Sequence, residues 1–153
     1  MKPGDYMVHV HIQRAKALTL DSEDVVDPFI KVKVLDQEKS TSAKEDISAS
    51  ANVVYDEHMF LELKALTKEK AEAAEIEVSV LNKGYFKGDQ IGLAAIGLSK
   101  VYFHDGHVMK HKVFGINNPE SDDFSKITGF LTLSINVIGP GDEAVELKLG
   151  SAE

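Results

Sequence analysis

Val8, Val10 and Ile12 alternate with Met7, His9 and His11. A two-residue period of this kind belongs to a β-strand, whose successive side chains point to opposite faces. The same period returns over residues 29–35 (Phe-Ile-Lys-Val-Lys-Val-Leu), 57–63 (Glu-His-Met-Phe-Leu-Glu-Leu), 76–81 (Ile-Glu-Val-Ser-Val-Leu) and 130–138. Shorter strand candidates fall at residues 40–44, 91–98 and 111–114. Between them lie a turn at Asp36-Gln37-Glu38, a small polar loop from Asp46 to Ala51 and a stop at Gly139-Pro140-Gly141. About eight short strands broken by turns predict an all-β fold, an antiparallel eight-stranded β-sandwich. Phe60 is expected as a core ring. Thr67 to Glu75 is the exception to the period. It is rich in Ala, Lys and Glu, and predicts one short surface helix with Thr67 as its N-cap.

The first two strands enclose an acidic loop. Asp21, Glu23, Asp24 and Asp27 fall within Asp21-Ser22-Glu23-Asp24-Val25-Val26-Asp27, and Pro28-Phe29 follow. Pro28 has no N–H for a ladder, so it suits the first position of a strand and leaves the acids at one end of a sheet. Two like charges about 4 Å apart cost roughly 4 kcal/mol near a protein surface. A divalent cation relieves that cost, and calcium takes about six to eight oxygen ligands. The plain alternative is a solvated acidic loop whose side chains splay apart.

Composition narrows the function classes. The 153 residues suffice for one domain with a real core. The net charge of −8 argues against nucleic acid, which needs clustered Lys and Arg, and against unaided binding to an anionic membrane. The sequence has no cysteine, which suits a reducing compartment and excludes thiolate metal sites. No run approaches the roughly 20 apolar residues of a membrane span, and Met1 to Tyr6 do not form a signal peptide. His9 and His11 share a strand face and have the spacing to chelate a transition metal, though such a pair more often forms the outer face of a half-buried strand. His104, His107 and His111 have loose metal-like spacing. No spacing of nucleophile, histidine and acid points to an enzyme.

At this point the motifs resemble a family. The first strand, Asp21 and then Asp27-Pro28-Phe29 with Lys31-Val32 resemble the first calcium-binding loop of a C2 domain. Asn52-Val53-Val54-Tyr55-Asp56-Glu57 is similar to a second motif of that family, with Val53 where proline is usual. Asp89-Gln90-Ile91-Gly92 resembles the close of its third loop. The ends are more specific. Lys2-Pro3-Gly4-Asp5-Tyr6 resembles the entry to the second C2 domain of ferlins. The run from Thr128 to Glu143, with Gly139-Pro140-Gly141-Asp142-Glu143, resembles that domain's exit. The resemblance implies type II connectivity, a domain over residues 1–142, and an acidic tail or linker over 143–153.

It also implies a calcium site between the first and third loops, and here the pattern is incomplete. Asp21, Asp27 and Asp89 occupy expected positions, but Leu81 and Lys83 stand where two central aspartates belong. Asp24 and a slipped, neutral Asn82 are the remaining ligand candidates. Lys83, Tyr85, Phe86 and Lys87 form a loop tip of cationic and aromatic side chains suited to a membrane interface. The plain alternative folds Phe86 back over the sandwich. Lys31 and Lys33 resemble the start of a basic, phosphoinositide-binding strand, or form an ordinary solvent face.

The expectation is therefore a monomeric, non-enzymatic C2 module of a ferlin-like membrane-trafficking protein, with calcium dependence weak or absent. Its partners would be anionic phospholipid or other protein domains. It would face the cytoplasm as a fragment of a larger membrane-anchored protein. The alternatives are a calcium-dependent phospholipid-binding C2 domain and a calcium-independent protein–protein scaffold.

Overall fold

The computed structural model describes residues 1–20, 23–84, 89–121, 123 and 126–150. Ten strands run in the order β1 (Gly4–Lys16), β2 (Val25–Val26), β3 (Pro28–Val34), β4 (Gln37–Ser40), β5 (Ile47–Ser48), β6 (Asn52–Leu66), β7 (Glu75–Asn82), β8 (Asp89–Gly97), β9 (Val108–Asn117) and β10 (Ile127–Ile138). Eight of them form an antiparallel sheet in the order β4-β3-β7-β8-β9-β10-β1-β6. Among the described residues its two halves pair at one position, Leu93 with Asn117. The sheet therefore folds into a nearly closed sandwich with four strands per layer. β2 and β5 pair with each other. The last strand, β10, lies beside the first, and β1 leads straight into the acidic loop, which is type II connectivity.

The core follows from the alternation. Val8, Val10 and Ile12 of β1 are fully buried, as are Ile30, Val32 and Val34 of β3 and Ile76 and Val80 of β7. On β6 the inward residues are Met59, Leu61 and Leu63. Phe60 has the opposite parity and is 46% exposed, which corrects its expected place in the core. The first hairpin turn falls at Leu35–Asp36, one residue earlier than expected, because Val34 pairs with Gln37. Leu35 adopts φ 53° to make that turn.

Among the described residues there are two short α-helices and one 3-10 turn (Asp105–His107), where one helix was expected. Helix α1 (Lys68–Ala73) has the expected cap, with the Thr67 hydroxyl accepting the Lys70 N–H at 3.1 Å. It stops at Ala74, whose backbone is extended, because Ile76, Val78 and Val80 then bury as a strand. Helix α2 (Leu98–Tyr102) buries Leu98 and Val101, a three-residue spacing hidden at the end of a strand-like run.

The outer face of the β9-β10-β1-β6 layer is also covered. His9, His11, Gln13, Ser134 and Asn136 are buried there. The segment after β10 lies over part of this face. Asn136 Oδ1 accepts the Val145 N–H at 2.9 Å, Gln13 Oε1 accepts the Gly150 N–H at 3.1 Å, and Leu147 is buried.

Candidate functional site

Pairing register gathers the loop residues at one end of the sandwich. Pro28 opens β3 opposite Asn82, and Asn82 stands opposite Asp89. The Asp27 N–H donates to Asn82 Oδ1 at 2.7 Å, and the Lys83 N–H donates to the Asp27 carbonyl at 3.0 Å. The Asp46 N–H donates to Asp27 Oδ1 at 2.8 Å. The Pro28 carbonyl accepts the Tyr55 hydroxyl at 2.6 Å and the Lys44 N–H at 2.9 Å. Burial, with Glu57 adding to it, raises the Tyr55 pKa above the ordinary tyrosine value and keeps its hydroxyl a donor. The acidic loop is thus fastened at its exit, and the β2–β5 pair braces it from the side.

Those bonds decide what is left for a cation. The Asn82 side-chain oxygen and one Asp27 oxygen each accept a backbone N–H, which occupies one of the two lone pairs on each. Asp24, Asp89 and Lys83 are exposed. Among the described residues, Asp24, Asp27 and Asp89 do not converge to within 4.8 Å of one another. A calcium ion takes about six to eight oxygens, and the described residues do not assemble that shell. Asp21, Tyr85, Phe86 and Lys87 lie outside the described residues.

Sequence reasoning missed a second constellation. β1 and β6 pair so that His11 stands opposite His58 and His9 opposite Phe60. His9 Nε2 lies 2.8 Å from His58 Nδ1, and the His9 ring stacks on Phe60 at 4.2 Å. His11 Nε2 lies 2.7 Å from Asp56 Oδ1, and its ring stacks on His58 at 4.0 Å. Burial, then the neighbouring His58 and His11, lowers the pKa of His9 to about 4. Burial, then His11, also lowers that of His58, against an opposing pull from Asp56. The pair His9 and His11 was visible in the sequence. Its partners His58 and Asp56 depend on a register that only the fold supplies.

Comparison with known proteins places this architecture. The C2 domain family model matches residues 6–114. The chain belongs to the C2 domain family. It is 29% identical over 143 residues to myoferlin from Homo sapiens, covering 93% of this chain and 6% of that protein. The solved pair of C2 domains of Extended-Synaptotagmin 2 superposes with a TM-score of 0.66 at 11% identity, covering 88% of this chain and 39% of that one. A C2 domain-containing protein from a putative elicitor-responsive gene gives 0.65 at 16% identity, covering 95% of this chain and 98% of that one. The chain thus spans only a small part of its ferlin relative.

In this C2 domain Lys31 and the three histidines His104, His107 and His111 have partners among nearby groups. Lys31 Nζ lies 3.7 Å from Glu38 Oε1, and Lys33 stands between Glu38 and Glu77 in the register. His104 Nδ1 donates to the Val108 carbonyl at 2.7 Å, and His107 Nδ1 donates to the Tyr102 carbonyl. His111 Nδ1 meets Gln13 Nε2 at 2.9 Å. The three histidines His104, His107 and His111 therefore do not form one ligand set. No helix among the described residues is long and apolar enough to cross a membrane.

Proposed function

We propose that this C2 domain is a docking module of a ferlin-like membrane-trafficking protein, most like the second C2 domain of a ferlin. It binds an anionic phospholipid surface or another protein domain with weak or no calcium dependence. The observation that carries this reading is the use of Asn82 Oδ1 and Asp27 Oδ1 inside the protein, at 2.7 and 2.8 Å from backbone nitrogens. Affinity for calcium follows the number and charge of free ligands. Here the third loop offers Leu81 and Lys83 where carboxylates are needed.

Residues 1–142 form the body of the module, and the segment after them packs back on its outer face through Val145, Leu147 and Gly150. In this reading Lys83, Tyr85, Phe86 and Lys87 are the membrane-binding residues. Each Lys near an anionic surface contributes about 1 kcal/mol, so the tip needs the rest of the larger protein or a protein partner for stable docking. The module is monomeric and non-catalytic. It faces the cytoplasm as part of a membrane-anchored protein.

A second reading, calcium-dependent phospholipid binding, draws on the exposed Asp24 and Asp89 and the remaining Asp27 oxygen, together with Asp21. Calorimetric calcium titration, paired with co-sedimentation on phosphatidylserine vesicles, separates the two. The docking reading expects no saturable heat below millimolar calcium and equal pelleting with and without the ion. Saturation at micromolar calcium, lost in Asp27→Asn, would overturn it.

A further inference from the structure

Three side chains outside the loop site converge on the outer face of the sandwich. His11 comes from β1, and Asp56 and His58 from the neighbouring edge strand β6. One ligand atom of each lies within 4.8 Å of the other two. Asp56 sits where β6 bulges, as the register jumps from Glu57 to Val54 and its own φ is 49°. A non-glycine residue in that region costs about 1–3 kcal/mol, and such outliers gather at ligand sites.

His11 adds a second observation. Its side chain is wholly buried, and Nδ1 has no hydrogen-bond partner. Buried polar atoms are nearly always satisfied, and an exception points to a water, an ion or a function. With Nε2–H donated to Asp56, Nδ1 is a buried lone pair that no protein donor meets.

We propose that His11, Asp56 and His58 bind a divalent transition metal ion of the zinc class. Two imidazole nitrogens and one carboxylate oxygen suit zinc, copper or nickel, whereas calcium prefers oxygen throughout. The ion takes the place of the proton between His11 Nε2 and Asp56 Oδ1, and the ring proton moves to Nδ1, where a buried water must accept it because no protein group meets that atom. At tetrahedral zinc these two atoms open from 2.7 Å to roughly 3.4 Å, given metal bonds of about 2.1 Å. The exposed His58 ring turns out of its stack on His11 to aim a lone pair at the ion. His9, 2.8 Å from His58 Nδ1, is the positioning residue that leaves Nε2 of His58 for the metal. Three protein ligands leave one position open to solvent.

The test uses the 153-residue chain with cobalt(II) as the visible probe and zinc(II) by calorimetry. One equivalent of cobalt should give saturable d–d absorption that zinc displaces and excess calcium does not. His58→Ala should abolish the signal. Asp56→Asn, which keeps a residue tolerant of the left-handed region, should weaken binding about tenfold or more, as losses at a metal site do. Thermal melts of both variants confirm that they fold, and both changes lie on the exposed rim. Asp27→Asn should leave the signal intact. Absence of saturable absorption in the parent chain, or a signal that survives His58→Ala, overturns the proposal. So does a signal lost in Asp27→Asn, because the ion would then sit in the loops.

Discussion

The side-chain oxygen of Asn82 accepts the backbone N–H of Asp27 at 2.7 Å, tying the third-loop strand to the first loop. A residue in a ligand position thus serves as a brace. Asn82→Ala leaves a half-buried N–H without its partner. The expected loss is about 1 kcal/mol, near the net worth of one hydrogen bond, read as a lower urea midpoint with an unchanged slope. Asn82→Asp keeps the acceptor and adds a charge. It should strengthen calcium binding relative to the parent, and a calorimetric titration of the two side by side checks this.

Proton binding to His9 should set part of the acid sensitivity. Its pKa is near 6.5 in the unfolded chain and about 4 when folded. Between those values the unfolded chain holds more protons, so stability rises with pH. The contribution is fully present above about pH 6.5 and is lost as pH falls towards 4. His11 and His58 face His9 and resist its protonation, while Asp56 favours that of His58. Urea midpoints in the presence of a chelator should fall from about pH 7 to about pH 5. His9→Phe, which keeps the stack on Phe60, should flatten that slope. An equal slope in both proteins would remove His9 as the cause.

The fold was legible because the two-residue period survives wherever one strand face is buried, as at Val8, Val10 and Ile12. It misled at Phe60, where an aromatic ring drew the eye away from the Met59, Leu61 and Leu63 parity. On the outer face, His9 and His11 read as the outer side of a half-buried strand, yet both are buried, with Gln13, Ser134 and Asn136 buried beside them. Cross-strand partners and the segment after β10 cover them, and a local pattern carries neither. The loop residues were found by motif, and register does bring Asp27, Asn82 and Asp89 to one end. What the motif does not contain is where each donor atom points. That is why the brace role of Asn82 emerged only from the structure.

The segment after β10 should matter for stability. Leu147 is 5% exposed, and neighbouring backbone groups bond to Asn136 and Gln13. Leu147→Ala is expected to cost about 2 kcal/mol, the low end for a buried leucine, since a surface segment can settle into the space. A thermal melt reads the effect. Leu149→Ala, on a residue 38% exposed, serves as the control with little change.

Gly92 lies on β8 three residues past Asp89, where the pairing with β7 shifts register between Val80 and Leu81. A Cβ there would stand 2.6 Å from Thr128 Oγ1 and 2.8 Å from the Ile116 side chain. Thr128 is not free to retreat, because its hydroxyl donates to the Ile91 carbonyl at 2.7 Å. Ile116 is fully buried. Gly92→Ala should therefore act as an overpacking change and cost about 1–3 kcal/mol. Because β8 carries Asp89 at its start, the strain should also reach the third loop. Amide exchange at Gln90 and Ile91 should quicken in the variant, while exchange in the distant α1 helix stays at the parent rate. Uniform acceleration across the chain would mean global destabilisation alone, with no special link between Gly92 and the loop end.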